Sequence, residues 1–304
     1  MCCFSQPVIS VSNTQIFARG GDVGWQYLVY QMNYESADAN AMILPLPIKQ
    51  PATEQSLEFI DLSDCDTFFD DLDHGFPYHT QATIGCAAPR NQLLRLGLEV
   101  HKVGNYIASF VPTLGDFDRL DPKFVLPRQV WKNFPGYEDY GFAVFQLAAG
   151  SLKPHPMAFQ FKTDGDALFF PTLHIHDGMV HSAEEFDHVL YMQHAGLDSR
   201  VYRYENADIE DRSTGLIRSK YKASRFCKIA ACHGVMDGDL LVHRKIMRGE
   251  FPNVDTVFEL SGNPTTPTLN LRPWLGYTPW LMALGAVAWF LNRRSRLKIA
   301  ARRR

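Results

Sequence analysis

Alternation of apolar and polar residues with a period of two runs through much of the chain, and it restricts the fold more than any other feature. Side chains on a strand point to opposite faces in turn, so this period gathers the apolar set on one face; a helix needs a period of about 3.6. Gln26 to Tyr34 (QYLVYQMNY), Tyr140 to Leu147, Met157 to Phe161, Leu168 to Ile175, Val201 to Tyr204 and Leu240 to Ile246 read as strands. Leu98 to Val111 (LEVHKVGNYIASFV) reads as a hairpin, with Gly104-Asn105 supplying the backbone freedom of a two-residue turn. Helical patterns are fewer: Asp64 to Leu72, Leu126 to Asn133 and Ala183 to His188. Ser182, with Glu185 three positions later, has capping-box spacing for the last of these. With strands in the majority and no regular strand-helix-strand alternation, the expected class is α+β, a mainly antiparallel β body with a few short helices over residues 1–262.

A Pro-, Thr- and Asn-rich stretch without periodicity makes residues 263–272 a linker. Residues 273–292, PWLGYTPWLMALGAVAWFLN, are twenty positions without an ionisable acid or base. At about 1.5 Å per residue, a helix of that length matches a bilayer core. Trp274, Tyr277 and Trp280 stand at one end and Trp289 near the other, where aromatic rings settle at lipid–water boundaries. Residues 293–304, RRSRLKIAARRR, carry seven of the thirty Lys and Arg and no acid. The remaining 23 basic residues against 33 acidic ones leave −10 on the rest of the chain. The expectation is a C-terminal membrane helix with a cytoplasmic basic tail, and the lipid bilayer as partner through residues 273–304. The start, MCCFSQPVISVSN, has no basic-then-apolar export segment, so the side on which the body lies stays open.

Six cysteines, Cys2, Cys3, Cys65, Cys86, Cys227 and Cys232, are too few and too scattered for a disulfide scaffold. The densest histidine region is LHIHDGMVHSAEEFDHVLYMQH. His174 and His176, two apart on a strand, face the same way, and His181 and His188 complete a candidate set for a divalent metal such as zinc. Surface and turn histidines around His-Asp-Gly are the competing reading. Cys227 and Cys232-His233 lack zinc-knuckle spacing, and FCKIAACHG reads equally as a buried strand. The run Arg218, Lys220, Lys222, Arg225 and Lys228 reads as a solvated face, and an acidic body argues against nucleic acid as partner. No Gly-rich phosphate loop, Walker motif or dinucleotide fingerprint appears.

Removal of Met1 would leave Cys2 with a free α-amine beside its thiol, a nucleophile and base in one residue. Together with FARGGD, this start resembles choloylglycine-hydrolase-type N-terminal nucleophile hydrolases. By that resemblance Cys2 is the nucleophile, Arg19 tunes it and Asp22 holds the amine, although Gly20 stands where that family has asparagine. A broader likeness covers about the first fifty residues: CCFSQPV, TQIFAR, LVYQMNY and AMILPLPI are similar to a bacterial membrane-anchored family of unknown function. That family begins with a CGGF-like segment and often ends in a membrane helix. What it implies is an uncharacterised membrane-anchored, β-rich interaction or envelope-associated module, with no assigned reaction and no certain cofactor.

Overall fold

The computed structural model of the protein describes residues 3–76, 100–103, 106–126, 128–131, 136–177, 179–198, 210 and 214–259. Fifteen strands are found among them: β1 Cys3–Phe4, β2 Ser10–Gly20, β3 Trp25–Ser36, β4 Asn40–Leu46, β5 Leu57–Ile60, β6 Val100–Val103, β7 Tyr106–Val111, β8 Gly141–Leu147, β9 Gly150–Leu152, β10 Met157–Lys162, β11 Leu168–Phe170, β12 Ala183–Gln193, β13 Ile217–Arg218, β14 His243–Pro252 and β15 Thr256–Phe258. The helices are short: α1 Phe68–Asp73, α2 Arg128–Trp131 and α3 Ala195–Asp198. One sheet runs β1-β4-β8-β7-β6, a larger one β13-β14-β12-β2-β3-β10-β5 with β9 beside β3, and β11 pairs with β15. Pairing is antiparallel except between β12 and β2 and at the Cys3–Ile175 bridge.

The two sheets enclose a shared core in which Ile16, Leu28, Tyr30 and Met32 of the larger meet Met42, Leu44, Phe110 and Phe145 of the smaller. Their outer faces are covered too. Phe17, Val29 and Tyr191 lie under α1 and the chain around Cys232 and Met236. Ile43, Val111, Phe142 and Val144 lie under Phe117, Phe124 and Trp131. Strands buried on both faces lose the alternating pattern and read as continuous apolar runs. The strand β4, NAMILPL, is buried at all seven positions. Its Pro45 has no amide to donate, and β1 pairs only with Met42 and Ile43, so the proline occupies the stretch where β4 has become a sheet edge.

Three expectations are corrected. The fold is predominantly β, because helix is confined to short segments, of which α1 and α2 cover the outer faces of the sheets. Ala183 to His188, expected as a helix, is the start of β12, whose Phe186, Leu190 and Met192 face the shared core while Val189 and Tyr191 face the outer one. Ala183–His188 pairs throughout with β14, and the strand continues from Val189 into a second ladder with β2, so the pairing of the whole strand outweighs the capping box. The C-terminal membrane helix expected as part of the fold is corrected as well: among the described residues no helix is long and apolar enough to cross a membrane. The expected helix at 273–292, the linker, the basic tail, Cys2 and the strand at 201–204 lie outside the described residues.

Candidate functional site

The N-terminal strand and the histidine region meet. Cys3 bridges Ile175, Phe4 N–H donates to the Ile175 carbonyl at 3.1 Å, and Val8 N–H donates to that of His176 at 3.3 Å. His174 lies between neighbours, its ring centroid 5.4 Å from His176 and 5.0 Å from His188, at interplanar angles of 16° and 25°. Phe186 extends the stack at 4.3 Å from His174. Burial holds His174 and His188 far below the usual imidazole range and lowers His176 to about 4, so the stack is neutral at pH 7. His181 stands apart on the surface, 3.0 Å from the Asp177 carboxylate, whose hydrogen bond raises it. Rings stacked face to face set their nitrogens side by side instead of converging on a point. Among the described residues no group of three or more His, Cys, Asp or Glu could hold a metal ion.

Arg19 and Asp22 occupy a different place. The N-terminal segment binds Ile175 and His176 at the Ser10 end of β2, and Arg19 lies near its other end. At about 3.3 Å per residue, roughly 30 Å of strand separate Ser10 from Arg19. The guanidinium donates to the carbonyls of Val235 at 2.8 Å, Gly234 at 2.6 Å and Gly20 at 3.2 Å, and lies 4.5 Å from the centre of the Tyr27 ring. Burial lowers its pKa. Arg19 is thus an anchor for the segment after Cys232.

A cleft of about 310 Å³ opens beside this anchor. Its walls are the turn Gly20–Gln26, the turn from Thr163 to Leu168, and His194 with Asp237. The first turn reverses the chain within four residues: Trp25 N–H donates to Asp22 and Gly21 N–H to Trp25, with Gly24 at φ 82°, where a side chain is strained. Two buried glutamines fix the other walls in the manner of a strand pair. Gln26 donates to the Phe169 carbonyl at 2.8 Å and accepts from the Phe169 N–H at 2.9 Å. Gln193 does the same to Asp237, at 2.7 and 3.0 Å. His194 Nδ1 accepts from Gly196 N–H at 2.9 Å, so the neutral ring carries its proton on Nε2. Burial lowers His194, against the carboxylates of Asp166 and Asp198.

The cleft therefore offers the carboxylates of Asp22, Asp166 and Asp237, while its one guanidinium is already bound to backbone carbonyls. A more open trough of about 440 Å³ lies on the far side of Tyr27, with Glu58, Asp61 and Asp64 in its lining. Arg19 and Asp22 were foreseeable from FARGGD; Gln26, Gln193 and the clustering of acids were not, because those residues are far apart in sequence. The alternation in QYLVYQ marks Gln26 as facing like Leu28, a polar residue on an apolar face, which is the sole local sign of its role.

No protein-family sequence model matches the chain. No curated protein matches it. Among solved structures it is similar to baculovirus P35, at 14% identity over 82% of this chain and 96% of that one, with a TM-score of 0.41. It is similar at 13% identity over the same shares, and the same TM-score, to the crystal structure of the caspase-8/P35 complex. A mutated baculovirus P35 after caspase cleavage is 16% identical over 82% and 99%, again at 0.41. At that identity and score the likeness assigns this chain no activity.

Proposed function

We propose that the protein is a non-catalytic recognition module that receives a basic side chain of a polypeptide partner in the cleft beside Arg19. The observation that carries this reading is the built character of the cleft: its walls are locked by Arg19, Gln26 and Gln193, and Asp22, Asp166 and Asp237 are in its lining. Walls fixed in advance lower the ordering cost of binding. A volume of about 310 Å³ suits a side-chain-sized group, being at the small end of ligand sites. The acidic balance of the chain outside its last twelve residues adds long-range attraction for cations. Among the described residues the cleft is lined by no thiol, and His194 commits Nδ1 to the Gly196 N–H.

An amidated arginine tripeptide is the probe. In amide NMR it shifts Gly20, Gly24 and Gly165 selectively, with an affinity that falls as salt rises. Asp22→Asn with Asp166→Asn weakens binding at least tenfold, and Asp116→Asn, on an exposed turn elsewhere, leaves it unchanged. Equal affinity in the cleft variant and the parent refutes the proposal.

A further inference from the structure

Two cysteines that the sequence holds far apart meet on the outer face of the larger sheet. Cys65 lies in the turn leading into α1, where its N–H donates to Leu62 and its carbonyl accepts from Phe68. Cys232 ends a single 3-10 turn, Ile229–Cys232, and is followed by His233 at φ 46°. Their sulfurs are 3.7 Å apart across 167 residues of chain, and each residue is 1% exposed. We propose that Cys65 and Cys232 are a redox-sensitive pair, oxidised by a low-molecular-weight disulfide to an intramolecular disulfide that fastens α1 to the segment between β13 and β14.

That segment is where a covalent tie changes most. From Ala223 to Leu241 it has no ladder partner among the described residues, and it is held by turns and isolated hydrogen bonds such as Ala223 N–H to Leu240 and Ser224 N–H to Gly238. Its contacts with the α1 region include Cys232 itself, Lys220 N–H donating to the Gly75 carbonyl at 3.0 Å, the Phe226 ring against Gly75, and the apolar cluster that Val235 and Met236 share with Phe68 and Phe69. At the surface Lys228 Nζ donates to Thr67 Oγ1 at 3.0 Å and lies 4.0 Å from the Asp71 carboxylate. A third thiol, Cys227, half-buried, packs on the same cluster and is the rival partner.

The electrostatics separate the two sulfurs. The contact with Cys232 lowers the Cys65 thiol, helped by Lys228 and opposed by burial and Asp71; that same contact, with burial, raises Cys232, whose thiol also donates to the Lys228 carbonyl at 3.3 Å. Cys65 is accordingly the sulfur that reacts first. Its thiolate attacks one sulfur of the small disulfide, that S–S bond breaks, and one thiolate leaves. Cys232 then attacks Cys65 Sγ and displaces the second. The two protein thiols are oxidised, the reagent is reduced to two thiols, and the two protons lost by the protein end on them. Both sulfurs being buried, the reagent enters through local opening of the Ile229–Cys232 turn, which makes the reaction slow.

The test treats the full chain, natively folded, with oxidised glutathione, blocks residual thiols and maps peptides. The expected product joins the Cys65 and Cys232 peptides, with a mass lower by about 2 Da, two fewer titratable thiols and reversal by dithiothreitol. Closing so long a loop raises Tm by roughly 5–15 °C. Cys65→Ser and Cys232→Ser each abolish the shift, and Cys227→Ser retains it. Recovery of Cys65 and Cys232 as free thiols or glutathione mixed disulfides, or paired with another cysteine, overturns the proposal. Because wild-type mapping decides it, a poorly folding variant leaves the result readable.

Discussion

Acid should unfold this protein through its histidine stack, and the size of the effect follows from the burial of three rings. His174 and His188 are fully buried, His176 is partly buried, and all three are lowered chiefly by desolvation, His176 to about 4. An unfolded histidine titrates near 6.5, so below that pH the unfolded chain binds protons that the native stack refuses. Stability is therefore full above about pH 6.5 and falls as pH drops, by up to about 1.4 kcal/mol per pH unit for each ring. At pH 5 the three rings together cost about 6 kcal/mol relative to pH 7.5. His155 and His194, also lowered by burial, act in the same direction. Asp255 acts in the opposite one: burial raises it to about 6, so protonation below that value favours the folded state, by about 1.4 kcal/mol at pH 5. The net loss of about 5 kcal/mol is comparable with the whole stability of many domains. The measurement is urea unfolding followed by far-UV circular dichroism between pH 7.5 and 5. His188→Phe removes one ring of the stack, and about 2 kcal/mol of the loss at pH 5 disappears with it. The readout is the slope against pH, so any packing cost of the new ring, being independent of pH, cancels. Equal slopes for variant and parent would show that the stack does not control acid stability.

Two further substitutions test the outer layer of the larger sheet. Arg244, 2% exposed, donates to Asp73 at 2.7 Å, lies 4.2 Å from the Phe76 ring centre and shares Asp73 with the Tyr191 hydroxyl. Asp73→Ala leaves that guanidinium buried without its carboxylate and should lower unfolding free energy by about 3–5 kcal/mol, whereas Asp73→Leu with Arg244→Met should recover most of it. An Asp73→Ala loss under about 1 kcal/mol would refute the assigned role of the pair. A Cβ on Gly75 would sit 2.5 Å from the Phe226 ring. Gly75→Ala should therefore cost about 1–3 kcal/mol, and Phe226→Leu in the same chain should relieve it; additive losses in the double variant would contradict the clash.

Legibility of the fold followed the number of faces that each strand buries. Met157–Lys162 and Gly141–Leu147 were readable nearly to their ends, because a run of apolar and aromatic residues in so short a segment suits a strand better than a helix. β2 escaped alternation because Ile16, Phe17 and Ala18 are successive and all buried, facing two different cores. β12 failed for the same reason: EEFDHVL carries acids at its solvent end and apolar residues on both sides, which imitates a helix. Of the candidate site, the pairing of His174 with His176 was legible from their spacing of two, and the structure stacks them. His188 joined them from β12 through tertiary packing that no local pattern announces. Arg19 and Asp22 were legible as residues from FARGGD, whereas the backbone carbonyls that Arg19 binds, on Gly234 and Val235, come from a segment more than two hundred residues away that no local pattern announces; Cys2 lies outside the described residues.

Three buried amides explain how irregular chain is held in register against these sheets. Gln26 pairs with the backbone of Phe169, Gln193 with that of Asp237, and Asn253 both donates to the His174 carbonyl and accepts from its N–H. Each amide presents one donor and one acceptor, the same pair that a neighbouring strand would offer, so it satisfies buried backbone groups where no ladder continues. The segments so fixed carry Asp166, Asp237 and His174, which are the groups that give the cleft its charge and the stack its centre. Replacing any one of the amides by an apolar residue would leave a buried backbone donor and acceptor unpaired together, so each amide is a costly position to lose. The geometry of the cleft is consequently set by the interior of the sheets, and its carboxylates supply charge to a shape already fixed from beneath.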